Sequence, residues 1–433
     1  MYPNKKTLAP SISLSAFQTD KFKTETLSVS LVTPIDKERS PLSLLVLSIL
    51  KRGCEKYTTQ GALNLRLDEL YAASVSVRSH RCGNANILGF AAEMLCREYT
   101  DGKTDILGGV LEVLSQILFY PLTDKKGYFY DAYIQSEKNN QCDSIEAQIN
   151  NPRAYALKRC HEIMFSEDCY GVGLLGTTNQ VKAITADELL SCYRDLISNY
   201  RYEFFYVGPR TIGEVEEKLR TAFIPHITTK DCIQVSQKAV SRKVSEIRRV
   251  TETMPISQGK LVIGFRTDID IHSPKFYAML VMNEIFGWSP ISKLFMNVRE
   301  RLGLCYYCSS VYDIFKGCIM VSCGISPQNK QKAEEEIFNQ LSQIVSGNVT
   351  NDELDAAKHS LCNSYRALSD SPSLLESYYF SRNEYGVNCS VEECIENIRR
   401  VSLKDVIGVA AEVKPDTVYF LDGNGEGGEN DNE

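Results

Sequence analysis

Hydrophobic and polar residues recur along this chain with the spacings of strands and helices, and they do so in two successive series. The first series predicts strands at 25–34, 74–82, 86–97 and 204–208, and helices at 41–51, 60–71, 102–118, 124–149, 151–166, 186–199 and 212–223. The second predicts strands at 260–267, 304–313, 317–325 and 417–421, and helices at 273–286, 290–301, 329–345, 350–367 and 372–385. The pattern therefore predicts two halves of mixed secondary structure.

The predicted elements follow the same order in both halves. A helix, a glycine, a second helix and a strand pair occur around Gly53 and again around Gly287. The four residues LSQI also occur at 114–117 and at 341–344. An ordered series of this kind indicates an internal duplication. It predicts two homologous α+β domains, each an antiparallel sheet packed with helices, at 1–223 and 258–422, with a linker at 224–257 and a disordered acidic tail at 423–433.

Charge and hydropathy limit the partners of the protein. The 433 residues carry a net charge of −7, which argues against nucleic acid or an anionic membrane as the main partner. No apolar run reaches the length of a membrane span, and the N-terminal MYPNKKTLAPSISLSAF lacks the continuous apolar core of a secretion signal. The sequence therefore predicts a cytoplasmic protein that binds neither nucleic acid nor membrane.

The 15 cysteines and five histidines are dispersed along the chain. Without an export signal, the cysteines are predicted to be reduced thiols that serve as small core residues. Cys305 and Cys308 form the one CxxC, and their odd separation on a strand would direct the two sulfur atoms to opposite faces. No histidine is followed by another four residues later, so no local pattern predicts a metal site.

The segment from Ser289 to Cys308 joins a predicted helix to a predicted strand. Its pattern is that of an amphipathic helix that Gly303 ends. The join fixes Arg299 on the last helical turn and Tyr306 on the strand. A guanidinium and a phenol held together can bind a peptide carbonyl or an oxyanion, although helix packing and a half-buried tyrosine account for the same residues.

Four phrases of the sequence resemble landmarks of a known family. GVGLLG, ITAD, YVG and LFMNVRERLGLCYY, at 171–176, 184–187, 206–208 and 294–307, are similar in type and order to those of the insulinase/pitrilysin family of zinc peptidases, particularly its small bacterial members. The resemblance implies paired domains in a clam-shell arrangement around a chamber, with zinc on one half and an arginine and a tyrosine on the other. Arg299 and Tyr306 match that substrate-binding pair.

The zinc-binding half of the family's site is missing from this sequence. The family uses H-x-x-E-H on a first-half helix, with a glutamate about 75 residues later as the third ligand. Alignment on residues 52–57 puts Leu44, Leu47 and Ser48 at the three motif positions, and Glu137 is the best match for the third ligand. One carboxylate beside two leucines and a serine cannot hold Zn²⁺, which needs three protein ligands. The chain is therefore expected to bind no cofactor, and the zinc is expected in a partner.

The resemblance implies that two different chains each contribute part of one active site. Small family members pair a subunit that carries H-x-x-E-H with one that carries only the arginine and the tyrosine, and this sequence is similar to the second kind. It would be a non-catalytic subunit of a heterodimeric zinc peptidase, inactive alone, in which Arg299 and Tyr306 contact a peptide substrate at the partner's zinc. In isolation the chain could form a homodimer.

Two other functions fit the same sequence. A peptide-binding or scaffold protein could have kept the peptidase fold without its chemistry, and a thiol enzyme could use Cys54, after the degenerate zinc helix. Trp288, between two second-half helices, favours a subunit interface. The strand from Asn86 to Cys96 corresponds to the edge strand along which the family binds its substrate, a use that the missing zinc makes doubtful.

Overall fold

A computed structural model describes residues 2–227, 232–237, 244 and 246–423 of the chain. These residues form two compact units, each with one β-sheet and the helices packed against it. The first unit comprises the described residues of 1–146, 172–238 and 368–386, and the second comprises those of 147–171, 239–367 and 387–433. The predicted acidic tail lies, from residue 424 onwards, outside the described residues.

The elements follow the predicted order, with additions such as the first two strands. The strands are β1 Asn4–Ala9, β2 Ile12–Gln18, β3 Thr24–Pro34, β4 Ser74–Cys82, β5 Ala85–Leu95, β6 Arg201–Gly208, β7 Arg248–Met254, β8 Gly259–Arg266, β9 Cys305–Asp313, β10 Cys318–Ile325 and β11 Lys414–Gly423. The α-helices are α1 Arg39–Leu50, α2 Gln60–Glu69, α3 Ile106–Phe119, α4 Asp131–Ala147, α5 Pro152–Met164, α6 Thr178–Ala183, α7 Ala186–Asn199, α8 Ile212–Ala222, α9 Phe276–Asn283, α10 Lys330–Val345, α11 Asn351–Ala367, α12 Pro372–Glu384, α13 Val391–Arg400 and α14 Leu403–Ala410. Two π-helical segments, Glu284–Trp288 and Leu294–Arg301, follow α9. Within the described ranges, none of the helices is long and apolar enough to cross a membrane.

The first sheet has the strand order β1-β2-β6-β3-β5-β4. Neighbouring strands are antiparallel, except β2 and β6, which run parallel. The core of this unit lies between the sheet and its helices, where Leu31, Phe90, Leu114 and Phe204 are buried. Removal of such side chains from water provides the main stabilisation of the unit.

The second sheet has the strand order β7-β11-β8-β10-β9, and only β7 and β11 run parallel in it. Its five strands correspond one by one to β2, β6, β3, β5 and β4 of the first sheet. The predicted α+β class is therefore confirmed for both units. The prediction that the sheets are antiparallel is wrong in one respect, because each sheet contains a parallel pair.

The parallel pairs include strands that the hydrophobic pattern does not reveal. The sequence of β7, RRVTETM, alternates between partly buried and exposed positions, so no buried apolar row marks it as a strand. The segment is a strand because it pairs with β11, where Arg249 lies opposite Val418. β7 falls within the predicted linker 224–257, of which residues 228–231, 238–243 and 245 lie outside the described ranges.

Each unit includes one helix from the other half of the sequence. Helix α5 packs on β8 and β11 of the second sheet, where Cys160 and Met164 are buried. Helix α12 packs on β6 and β3 of the first sheet, and its Tyr379 ring stacks on that of Phe17 with centroids 5.4 Å apart. The compact units are thus discontinuous in sequence. The domains 1–223 and 258–422 describe a sequence repeat and stay a prediction.

The strand from Asn86 to Cys96 lies inside the first sheet and not at its edge. It corresponds to β5, which pairs with β3 on one side and with β4 on the other. Most of its residues are buried on both faces, as the nearly continuous apolar sequence NILGFAAEML requires. The edges of this sheet are β1 and β4. The prediction of a substrate-binding edge at this strand is therefore wrong.

Candidate active-site half with Arg299 and Tyr306

Arg299 lies near the end of the π-helical segment Leu294–Arg301. Hydrogen bonds of this wider helix reach back five residues, as in the 3.2 Å bond from the Leu302 N–H to the Asn297 carbonyl. Gly303 then adopts a left-handed conformation, with φ of +59°, and its N–H donates to the Arg299 carbonyl at 3.1 Å. The predicted glycine stop is confirmed, whereas the helix before it is π-helical and not the expected α-helix.

Gly287 allows the preceding π-helical segment to approach β9 closely. A Cβ atom at this position would lie 2.6 Å from Leu294 Cδ1 and 2.9 Å from the Ser310 backbone nitrogen. A side chain there would push the segment away from the strand, because Cβ atoms do not approach backbone atoms so closely. This glycine therefore sets the distance between the helical layer and the strand that carries Tyr306.

Tyr306 lies at a β-bulge near the start of β9, an edge strand of the second sheet. Cys305 is opposite Ile325 and Tyr307 is opposite Gly324, so Tyr306 has no partner residue on β10. Its side chain is 67% exposed. Bulges change the direction of a side chain beside functional sites, and this one leaves the phenol accessible to a ligand.

The Arg299 side chain contacts an aromatic ring and stays accessible. Its guanidinium carbon lies 4.6 Å from the centroid of the Phe295 ring. Its Nε is 3.5 Å from Glu300 Oε1, an ion pair between side chains that are 40% and 50% exposed and that therefore contributes little stability. The positive charge also acts on the thiol of Cys305. The guanidinium is thus positioned to donate hydrogen bonds to a ligand.

Several large hydrophobic side chains close to this pair in the sequence are exposed. Between residues 288 and 311, six of them have exposed fractions from 45% to 67%. They are Trp288, Ile291, Met296, Leu302, Tyr306 and Val311. We call residues 288–311 the exposed apolar segment. A concentration of apolar side chains next to polar donors is typical of a surface that binds a protein or a peptide.

The three positions of the missing zinc motif lie on α1, next to α4. Leu47 is buried, and Leu44 and Ser48 are partly buried. Near the start of α1, the Gln141 amide of α4 donates a hydrogen bond to the Pro41 carbonyl at 3.2 Å. A second contact joins α4 to Arg52, the residue two positions after the end of α1.

That second contact neutralises Glu137. The Arg52 guanidinium donates to the Glu137 carboxylate through Nε and forms an ion pair with it through Nη2. The Asn140 amide donates to the same carboxylate oxygen at 3.2 Å, and Arg52 Nη2 donates to Ser136 Oγ at 3.0 Å. The Glu137 side chain is only 11% exposed. Arg52 therefore supplies the positive charge that a carboxylate in this position needs.

These residues do not fit a zinc ion. Two leucines and a serine offer no imidazole or thiolate, and the one carboxylate already binds a guanidinium. In the part of the chain that the structure describes, no group of three or more His, Cys, Asp or Glu side chains could hold a metal ion.

Comparison with known proteins identifies the family. A family model described as "Peptidase M16 inactive domain" matches residues 183–361. The protein "Probable inactive metalloprotease YmfF" of Bacillus subtilis (strain 168) is 28% identical to this chain over 406 residues, which cover 94% of each protein. The chain is homologous to peptidases of the M16 family. This is the insulinase/pitrilysin family that the sequence phrases resemble, and the resemblance is confirmed.

Solved structures share the fold of this chain. The crystal structure of a conserved protein from Enterococcus faecalis V583 has a TM-score of 0.91 and 26% sequence identity, and each chain is covered completely. A structure titled as a peptidase M16 inactive domain, from Pseudomonas fluorescens, shares the fold, with a TM-score of 0.79 at 15% identity over 98% of this chain and 99% of that one. The family model and the Bacillus subtilis relative, not these structures, make the chain a homologue of inactive M16 peptidases.

Cys54, the residue of the alternative thiol chemistry in this M16 homologue, lies in an unsuitable environment. It is buried, and burial raises the pKa of its thiol. Its sulfur accepts a hydrogen bond from the Tyr57 N–H at 3.4 Å. A buried thiol with a raised pKa is a poor nucleophile, so the structure gives the thiol alternative no support.

The sequence pattern does not reveal that three cysteines meet beside Arg299. The bulge at Tyr306 brings Cys305 onto the face of β9 that carries Cys308, so the predicted opposite faces are wrong. Cys323 is directly opposite Cys308 on β10. A one-residue bulge inverts the alternation of side chains, and no feature of the sequence CYYCSS marks where it occurs.

Proposed function

We propose that this M16 homologue is the non-catalytic subunit of a heterodimeric zinc peptidase. The observation that carries the proposal is a contrast: Arg299 and Tyr306 are accessible, whereas Glu137 at the degenerate zinc position is bound by an arginine. A scaffold needs neither an accessible arginine on this helical segment nor an accessible tyrosine on a bulged edge strand. The zinc and the general base would belong to a partner subunit that carries H-x-x-E-H.

In this proposal, Arg299 and Tyr306 bind the backbone of a peptide substrate near the bond that is cleaved. A guanidinium and a phenol both donate hydrogen bonds, and donors directed at a peptide carbonyl stabilise the negative charge that develops on its oxygen. The outer side of β9 can pair with an extended peptide, because an edge strand has unpaired N–H and C=O groups. Peptides and small unfolded proteins are therefore the proposed substrates.

The exposed apolar segment provides the proposed contact with the partner subunit. Trp288, at the start of this segment, is 53% exposed, and tryptophan is one of the residues that contribute most to protein interfaces. None of the 15 cysteines, all of which lie in the described ranges, forms a disulfide bond. This supports a reducing compartment, and we propose that the complex is cytoplasmic.

The assembly can be tested with the full chain and an H-x-x-E-H subunit of similar length from the same organism. We expect a one-to-one complex in sedimentation velocity, and we expect Trp288→Asp to raise its Kd about tenfold or more, because the substitution places a charge in an apolar contact. Leu65→Asp is the matched control, since Leu65 is 63% exposed on α2 and lies outside the exposed apolar segment. It should change the Kd less than about twofold. The absence of a complex, or equal Kd values for the two variants, would contradict the proposed interface.

A further inference from the structure

Three cysteines lie on one face of the neighbouring strands β9 and β10. Cys308 on β9 and Cys323 on β10 are directly opposite each other, and the bulge brings Cys305 onto the same face. The neighbouring thiols of Cys308 and Cys323, and the charge of the Arg299 guanidinium, lower the pKa of the Cys305 thiol. Thiols that share a face of neighbouring strands can form a disulfide when one of them is oxidised.

The three thiols differ in exposure and in acidity. Cys308 and Cys323 are 2% and 0% exposed, whereas Cys305 is only partly buried. Hydrogen bonds from Cys308 and Cys323, and then the charge of Arg299, lower the pKa of Cys305 to about 4. The hydrogen bond with Cys305 raises the pKa of the other two. The more accessible sulfur is therefore the most acidic of the three and the best nucleophile among them.

We propose that Cys305 is a site of oxidation by hydroperoxides, and that Cys323 then forms a disulfide with it. In the first step, the Cys305 thiolate attacks one oxygen of the hydroperoxide, an S–O bond forms as the O–O bond breaks, and the sulfur loses two electrons. The other oxygen takes up a proton and leaves as an alcohol or as water, and Cys305 becomes a sulfenic acid. In the second step, Cys323 loses its proton, its sulfur attacks the Cys305 sulfur, and the hydroxyl group leaves as water.

The oxidation would change the environment of the proposed substrate contacts. A disulfide would remove the negative charge beside Arg299, and it would add a covalent restraint to the bulge that carries Tyr306. The chemistry at Cys305 does not depend on the peptidase role. A negative result in the thiol measurements would leave the proposed function intact, and a negative result in the peptidase assay would leave the thiol proposal intact.

The experiment uses the purified full chain, hydrogen peroxide as the oxidant and dimedone as a trap for sulfenic acid, with peptide mapping by mass spectrometry. We expect dimedone on Cys305 before any other cysteine, and a Cys305–Cys323 disulfide when dimedone is omitted. In Cys323→Ser, the sulfenic acid should persist and the yield of the dimedone adduct should rise. Cys192→Ser is the matched control: Cys192 is also partly exposed, but burial raises its pKa to about 11, and its loss should not change the labelling.

A second readout does not require a substitution. The rate of iodoacetamide alkylation at Cys305 should change less than about twofold between pH 8 and pH 6, because its thiolate persists, whereas a thiol with an ordinary pKa of about 8.5 would react roughly 75-fold more slowly at pH 6. Arg299→Met should restore part of that pH dependence. The proposal would be overturned if the alkylation rate at Cys305 had the pH dependence of a thiol with an ordinary pKa, or if oxidation started at a cysteine other than Cys305.

Discussion

Replacement of Arg299 by alanine should lower kcat/KM for peptide cleavage by the assembled complex by about 10²- to 10³-fold. The expected loss is large because the guanidinium would donate to an oxygen that gains negative charge in the transition state. The side chain is held over Phe295 and is 40% exposed, so its removal should disturb the fold little. The measurement is steady-state cleavage of a fluorogenic peptide by the complex.

Arg301→Ala is the control for this substitution. Arg301 is on the same π-helical segment, is 63% exposed, and has its Nη2 at 3.6 Å from Glu336 Oε1. Its loss removes an equal charge from the same surface and should change kcat/KM less than about twofold. Equal losses in the two variants would mean that general charge, and not a contact made by Arg299, supports cleavage.

Replacement of Arg52 by methionine should lower the free energy of unfolding of the first unit by about 3 kcal/mol. The substitution leaves the Glu137 carboxylate buried without its cation, and an unpaired buried charge costs more than the ion pair contributes. The double variant Arg52→Met with Glu137→Gln should recover most of the loss, because it removes the unpaired charge. Chemical denaturation of the wild type and both variants measures these differences.

Arg66→Met is the matched control for Arg52. Arg66 pairs with Glu69 at 3.1 Å, but the Glu69 side chain is 58% exposed, so this ion pair should contribute less than about 0.5 kcal/mol. If Arg52→Met costs no more than Arg66→Met, the contact with Glu137 is only a surface ion pair, and Arg52 does not compensate for a missing metal ion.

The sequence pattern predicts the parts of the site that depend on local structure. Gly303 ends the helical segment because only a residue without a side chain adopts its left-handed conformation at low cost, and this can be inferred from the sequence. The phrase around Arg299 and Tyr306 likewise predicts a helix that leads into a strand. The strand 74–82 and the helix 186–199 also have the predicted bounds.

The features that could not be predicted depend on contacts between distant residues. The bulge at Tyr306 exists because of pairing with β10, and β7 is a strand only because β11 lies beside it. The ion pair of Arg52 with Glu137 joins residues 85 positions apart. The placement of α5 and α12, each in the compact unit of the other half of the sequence, is also set by tertiary contacts, because neither helix carries a pattern that indicates which sheet it packs on.

Peptide cleavage, measured together with bound zinc, tests the central claim most directly. This chain, an H-x-x-E-H subunit from the same organism and their mixture should be compared at equal concentrations. The account predicts no zinc and no cleavage for this chain alone, and about one zinc ion per heterodimer with cleavage well above that of either chain for the mixture. Cleavage by the H-x-x-E-H subunit alone that matches the mixture, or zinc bound by this chain, would contradict it.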